Sequence, residues 1–238
     1  MSARGRKRTK RFLRDRKAGN CIKKEIVNMA NRVITIAREY GSGGRSIGKM
    51  LARELGFAFY DDEILRMASD ESGIKLDLFG EMDEYIPAFA RLRSVRDDAC
   101  LGETFPPSSD EYTSIENRFR FTAKIMRRLA QTENCVIVGR AANYILSDMR
   151  NCVHIYVHAP MDYCVRKTME VDALSMEEAE RKVNRIDRQR GAYFKHFTDR
   201  NWKDADLYDL CINSSLMSWE KSVQVVKSYL DVRFSEQG

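Results

Sequence analysis

Long apolar runs are missing from this chain. No stretch approaches the roughly 20 uninterrupted apolar residues that a membrane-crossing helix requires. Proline is scarce, four in 238 residues, and no low-complexity tract occurs, so extensive disorder is not expected. Cys21, Cys100, Cys135, Cys152, Cys164 and Cys211 form no C-x-x-C pair. Cys135 and Cys152 stand in apolar strand-like runs, and the six fit reduced thiols rather than a disulfide framework or a zinc site. The basic start MSARGRKRTKRFLRDRKAGN is followed by no apolar segment, which argues against a secretory signal. Together these absences predict a cytoplasmic protein with no membrane partner. A metal pair is not expected from His154 and His158 either. They share one face of a strand about 13 Å apart, with no third ligand nearby.

Charge is present but unevenly placed. The formal net charge is +6, yet residues 1 to 24 hold eleven Lys or Arg against one Asp. The remainder is therefore mildly acidic, and the basicity is a tail. Such an arm is a solvated terminus or a contact for nucleic-acid phosphates, and it offers the chain's one expected route to nucleic acid.

Hydrophobic periodicity organises the rest. A short helix is expected over residues 22 to 31, then the strand VITIA at 33 to 37 and a helix from Ser46 to Leu55 stopped by Gly56. FAFY at 57 to 60 reads as a strand ending on Asp61 and Asp62, with DEILRMASDES continuing as a helix. Residues 75 to 131 read as mostly helical, broken by the loop GETFPPSSDE at 102 to 111. CVIVG at 135 to 139 is a buried strand with a helix from Arg140, and CVHIYVHA at 152 to 159 is another followed by a helix. A charged helix at about 175 to 197, the strand DLCIN at 209 to 213 and a helix at 218 to 233 complete the chain. Five β-branched strands separated by helices predict a parallel sheet covered on both faces, with ligands beyond the carboxyl ends of its strands.

Three polar features follow those strand ends: the glycine loop of VITIAREYGSGGRSIGKMLARELG, the pair Asp61-Asp62, and Gly139-Arg140. The loop has the layout of a phosphate cradle. Gly41, Ser42, Gly43 and Gly44 permit close backbone approach, and Arg45 and Ser46 stand at a helix start. Its spelling departs from G-x-x-x-x-G-K-[ST], because the lysine is absent. Gly44-Arg45-Ser46 imitates the cation-hydroxyl end with arginine for lysine, a planar fork for a point charge. Arg45 is accordingly expected to supply the missing charge. Arg185, Arg188 and Arg190, around Asp187, could bring further cations, or form a solvated helix face. Tyr193, Phe194 and Trp202 could stack a base, although packing is the commoner role of aromatics.

ITIAREYGSGGRSIGKMLARELGFAFYDDEIL, VIVGRAANYIL and RKVNRIDRQRGAYF together resemble the cytidylate-kinase-like family, a branch of the P-loop nucleoside monophosphate kinases. The likeness runs over nearly all of residues 32 to 232. It implies an α/β P-loop NTPase three-layer sandwich with a parallel five-stranded sheet, a helical insertion at about 62 to 131 and a helical lid at about 175 to 205. The domain would span 25 to 238 behind the tail. The resemblance further implies ATP-dependent phosphoryl transfer to a nucleoside monophosphate, CMP or dCMP by default. A nucleotide-binding protein without turnover, or a kinase-like protein acting on another acceptor, is the alternative. ATP phosphates would lie on residues 41 to 46, with Ser46 at Mg²⁺. Asp61, Asp62, Arg140 and Asp187 would serve the acceptor, and Arg185, Arg188 and Arg190 would close over the phosphates. An ungapped alignment of the first helix with standard cytidylate kinases sets Gly44 opposite their lysine.

Overall fold

The structure is a computed structural model that describes residues 31–80, 84–86 and 101–235. The basic tail and, but for Asn31, the helix expected over 22 to 31 lie outside the described residues. So do residues 81–83 and 87–100 of the expected insertion.

The described chain alternates strands and helices: β1 (Val33–Arg38), α1 (Gly44–Leu55), β2 (Ala58–Tyr60), α2 (Glu63–Ser72), α3 (Leu76–Gly80), α4 (Ile115–Thr132), β3 (Cys135–Val138), α5 (Ala142–Ile145), β4 (Cys152–His158), α6 (Met161–Asp172), α7 (Met176–Thr198), β5 (Leu210–Asn213) and α8 (Trp219–Phe234). The five strands form one parallel sheet in the order β2-β3-β1-β4-β5. The chain leaves β1 toward β2 on one side and later crosses to β4 on the other. The end of β1 is thus where the winding reverses, the place at which open α/β sheets take ligands.

Strand alternation divides the core in two. Val33, Cys135, Ile137, Cys152 and Tyr156 face a cluster that includes Phe119, Met126, Phe194 and Phe197 from α4 and α7. Ile34, Ile36, Val136, Val138, Val153, Ile155 and Val157 face α1 and α8 through Ile47, Leu51, Val223, Val226 and Leu230. Both faces are covered, which is why these strands read as nearly continuous apolar runs. The result is the expected three-layer α/β sandwich.

Two boundaries at the ligand-bearing strand ends differ from expectation by more than one residue. α1 begins at Gly44, two residues before Ser46, because Gly43 takes the left-handed N-cap conformation at φ 81°. No long helix starts at Arg140: Gly139, Arg140 and Ala141 all have positive φ, and only Ala142–Ile145 is helical. At the other end of the range, Ser175 and Glu178 form a reciprocal capping box that starts α7 one residue after the expected position.

Candidate phosphate-binding site

Residues 39 to 43 carry the chain from β1 to α1, and side chains from five other segments pin them. Buried Ser42 donates through Oγ to Glu39 O at 2.8 Å, and its own carbonyl accepts from Ser214 Oγ at 2.6 Å. The Glu39 carboxylate accepts from Tyr156 Oη at 3.1 Å and Ala159 N at 3.2 Å, and pairs with Lys203. The Tyr40 amide donates to Asp187 Oδ1 at 2.8 Å, and Tyr40 Oη donates to Asp172 at 3.1 Å. The first α1 bond runs from Ile47 N to Gly43 O at 2.9 Å. The amides of Gly44, Arg45 and Ser46 therefore have no acceptor within the helix and sit at its positive end. They border an open cleft of about 180 Å³ that is also walled by Lys167, Thr168, Val171 and Trp219.

Arginines from two strand ends and a helix converge beside this loop. Arg38, the last residue of β1, pairs through Nη1 with Glu84. Arg190 on α7 donates Nε to the other Glu84 oxygen at 2.8 Å and Nη1 to Arg38 O at 3.2 Å. The left-handed turn after β3 directs the Arg140 amide to Glu84 Oε1 at 3.0 Å. Burial by itself would raise the Glu84 pKa. The charges of Arg38, Arg190 and Arg140 overcome it and hold the carboxyl well below the usual range. Burial in turn lowers the Arg38 pKa, with the Arg190 charge acting in the same direction and Glu84 opposing both.

A second ion cluster joins the ends of β2 and β3. Arg140 is 1 % exposed; its Nη1 reaches Asp61 at 3.0 Å and its Nη2 reaches Asp62 at 2.9 Å. Arg45 pairs with the remaining Asp61 oxygen from the loop side, and its side chain is 64 % exposed. Burial pushes Asp61 up, but the Arg45 bond and the Arg140 and Arg38 charges bring its pKa below normal.

The structure thus joins Gly41 to Ser46, Arg190, Asp61, Asp62 and Arg140 along one edge of the sheet, as the three sequence features require. Arg45, expected at the phosphates, lines the cleft and is paired with Asp61. Asp187 lies on the loop side, holding the Tyr40 amide, rather than beside Asp61 and Arg140. Arg185 and Arg188 are both exposed and line a separate depression with Tyr85, Glu177 and Arg181. Only every third or fourth residue of α7 faces the loop, so Arg190 and Asp187 share that face and Arg185 does not. Tyr193, Phe194 and Trp202 are core residues, and His154 bonds Thr35 Oγ1 at 2.8 Å. Sequence reasoning missed Arg38 and Glu84. A cation ending a buried strand could have marked Arg38; Glu84 carries no local signal.

The profile of the cytidylate kinase-like family matches residues 33–216. The cytidylate kinase of Pyrococcus horikoshii is 24% identical over 200 residues, covering 84% of this chain and 88% of its own. That of Methanopyrus kandleri is 22% identical over 208 residues, covering 84% and 93%. Among solved structures, an uncharacterized protein from Eubacterium ventriosum superposes with a TM-score of 0.60 at 23% identity, covering 84% of this chain and 99% of that one. That likeness establishes the shared fold. A profile match across most of the chain, on a parallel sheet whose first strand feeds a pinned glycine loop, establishes kinship: the chain belongs to the cytidylate kinase-like family, with an α/β P-loop fold.

Proposed function

We propose that this protein transfers a phosphoryl group from ATP to a nucleoside monophosphate, with CMP or dCMP as the default acceptor. The observation that carries the reading is the convergence of free loop amides, buried guanidiniums and the Asp61-Asp62-Arg140 cluster on one edge of the sheet. Phosphoryl transfer needs positioning and charge neutralisation more than a nucleophilic side chain, and this edge offers both. The donor phosphates lie on the amides of residues 43 to 46. The acceptor approaches from the β2 and β3 ends, where Asp61, Asp62 and Arg140 are preorganised by their mutual pairing. The cytidylate kinases among the relatives support a nucleotide acceptor.

No cluster of three His, Cys, Asp or Glu side chains fit to hold a metal occurs among the described residues. The donor set suits a magnesium ion carried mainly by nucleotide phosphates and water, with the Ser46 hydroxyl, on the first turn of α1 at the cleft, as a protein ligand. Such an ion supplies charge neutralisation across the phosphates.

A second reading, nucleotide binding without turnover, is favoured by the loop's missing lysine and by the engagement of Arg45 with Asp61. A panel of nucleoside monophosphates with ATP and coupled ADP detection separates the two. CMP- or dCMP-dependent ADP release supports transfer, and ATP binding with no release from any acceptor supports the alternative. Release with a non-nucleotide acceptor would redirect the assignment. Salt-dependent RNA binding before and after removal of residues 1 to 24 tests the tail as a nucleic-acid contact.

A further inference from the structure

The lysine absent from the loop leaves a geometric trace. A Cβ built on Gly44 would stand 2.5 Å from Arg38 Cβ, 3.1 Å from Val157 Cβ and 3.3 Å from Arg38 Cγ. Gly44 is the position that the resemblance sets opposite the lysine of standard cytidylate kinases. The space that a lysine stem would enter is thus filled by the stem of Arg38. That arginine lines the loop cleft together with Arg190.

The environment of Arg38 is built for an anion. Its side chain is 10% exposed, and its Nε has no hydrogen-bond partner among the described residues. Arg190 beside it is 13% exposed. Two buried guanidiniums repel unless an anion bridges them, and the anion here is Glu84. Its carboxylate is held by Arg38, by Arg190 and by the Arg140 amide, a shell of charged forks and backbone N–H that equally suits a phosphoryl group. Glu84 itself adopts φ 52°, an unfavourable backbone conformation for an L residue with a Cβ.

We infer that Arg38, with Arg190 beside it, is the phosphate-binding cation that replaces the loop lysine, and that the Glu84 carboxylate occupies this cation pair until substrate phosphate displaces it. The inference deepens the kinase reading and rests on it for the turnover step only. Triphosphate binding tests it separately.

The test measures ATP and adenosine binding to the full chain by equilibrium dialysis, alongside turnover on the monophosphate panel. Arg38→Ala is expected to weaken ATP about tenfold or more while adenosine is unaffected, and to lower kcat on the order of 10³-fold. Arg38→Lys should recover part of both. Gly44→Lys should be harmful in the wild-type background, where Arg38 fills the space. In an Arg38→Gly background, which also removes the Cβ that lies 2.5 Å from the new side chain, it should restore ATP binding. Glu84→Gln should tighten ATP, because the competing anion is gone. If Arg38→Ala unfolds, Arg38→Ala/Glu84→Gln removes both charges together and, measured against Glu84→Gln alone, reads the same effect. A folded Arg38→Ala that binds ATP as wild type, or a double variant that binds it as Glu84→Gln does, overturns the inference, as does failure of Gly44→Lys to restore binding in a folded Arg38→Gly protein. Arg38-dependent ATP binding with no turnover of any acceptor would end the kinase reading and leave the inference standing. Absence of ATP binding by the wild type would overturn both.

Discussion

At the scale of single residues, the site is decided by which arginine meets which carboxylate. Arg45 was the natural reading of the loop, since it directly precedes Ser46. Its side chain is mostly exposed and turned to Asp61, which retains Arg140 when Arg45 is removed. Arg45→Ala should therefore cost less than about 1 kcal/mol of stability by urea titration. It should also change ATP affinity only a few-fold, since the loop amides stay in place. Loss of ATP binding comparable to that of Arg38→Ala would return the cation role to Arg45. Gly43 is constrained in a different way. At φ 81° any side chain is strained, and a Cβ there would lie 2.6 Å from the Trp219 ring. Gly43→Ala should lose about 1–3 kcal/mol of stability and most ATP affinity. Unchanged melting and binding would show that Trp219 can yield.

At the scale of elements, α7 carries the residues that tie the loop to the rest of the domain. Asp187 and Arg190 lie on one face three residues apart, holding Tyr40 N and Arg38 O respectively. Arg190→Ala removes a partner of Glu84 and a loop tie together. Turnover is expected to fall at least about 100-fold, as for other cations at a transferring phosphoryl group. A steady-state assay that showed wild-type kcat would detach α7 from the chemistry. The start of the same helix depends on the Ser175–Glu178 box, and Ser175→Ala should cost about 1 kcal/mol in urea denaturation. Unaltered stability would show that the Glu178 contact to the Ser175 amide suffices alone.

At the scale of the whole molecule, buried carboxylates of opposite tendency shape the response to pH. Burial pushes the Asp187 carboxyl up to about 6 from 3.8, with the Tyr40 amide and Arg190 opposing. Between about pH 4 and 6 the folded state then binds more protons than the unfolded state, so this group's contribution to stability declines as pH rises through that window. Asp61 and Glu84 behave inversely. Their folded pKa values are depressed, so their stabilisation is present above the unfolded values near 4 and is lost as pH falls below them. Asp187→Asn keeps an acceptor for Tyr40 N. The variant should gain stability relative to wild type at pH 7 and lose that advantage by pH 4, as followed by urea titrations across the range. A stability difference independent of pH would mean that Asp187 does not titrate there.

The sequence by itself determined the layered parallel sheet, the strand-loop-helix at its centre and the edge on which polar residues gather. These follow from signals carried within a few residues: apolar runs of strand length, glycines between strand and helix, and Asp61, Asp62 and Arg140 directly after strand ends. Element limits were legible to within a residue or two wherever a cap or a glycine stop marked them, as at Ser175 and Gly56. They failed at Arg140, where three successive left-handed residues replace the expected helix start. What only the tertiary structure decided is the pairing of charges. Arg38 meets Glu84 across 46 residues and Arg190 meets it across 106, whereas Arg185, from the same motif as Arg190, faces away. A guanidinium has the same charge in any register. Its partner is fixed by helix phase and by which chain segments the sheet order brings to the end of β1, and neither is written in the local sequence.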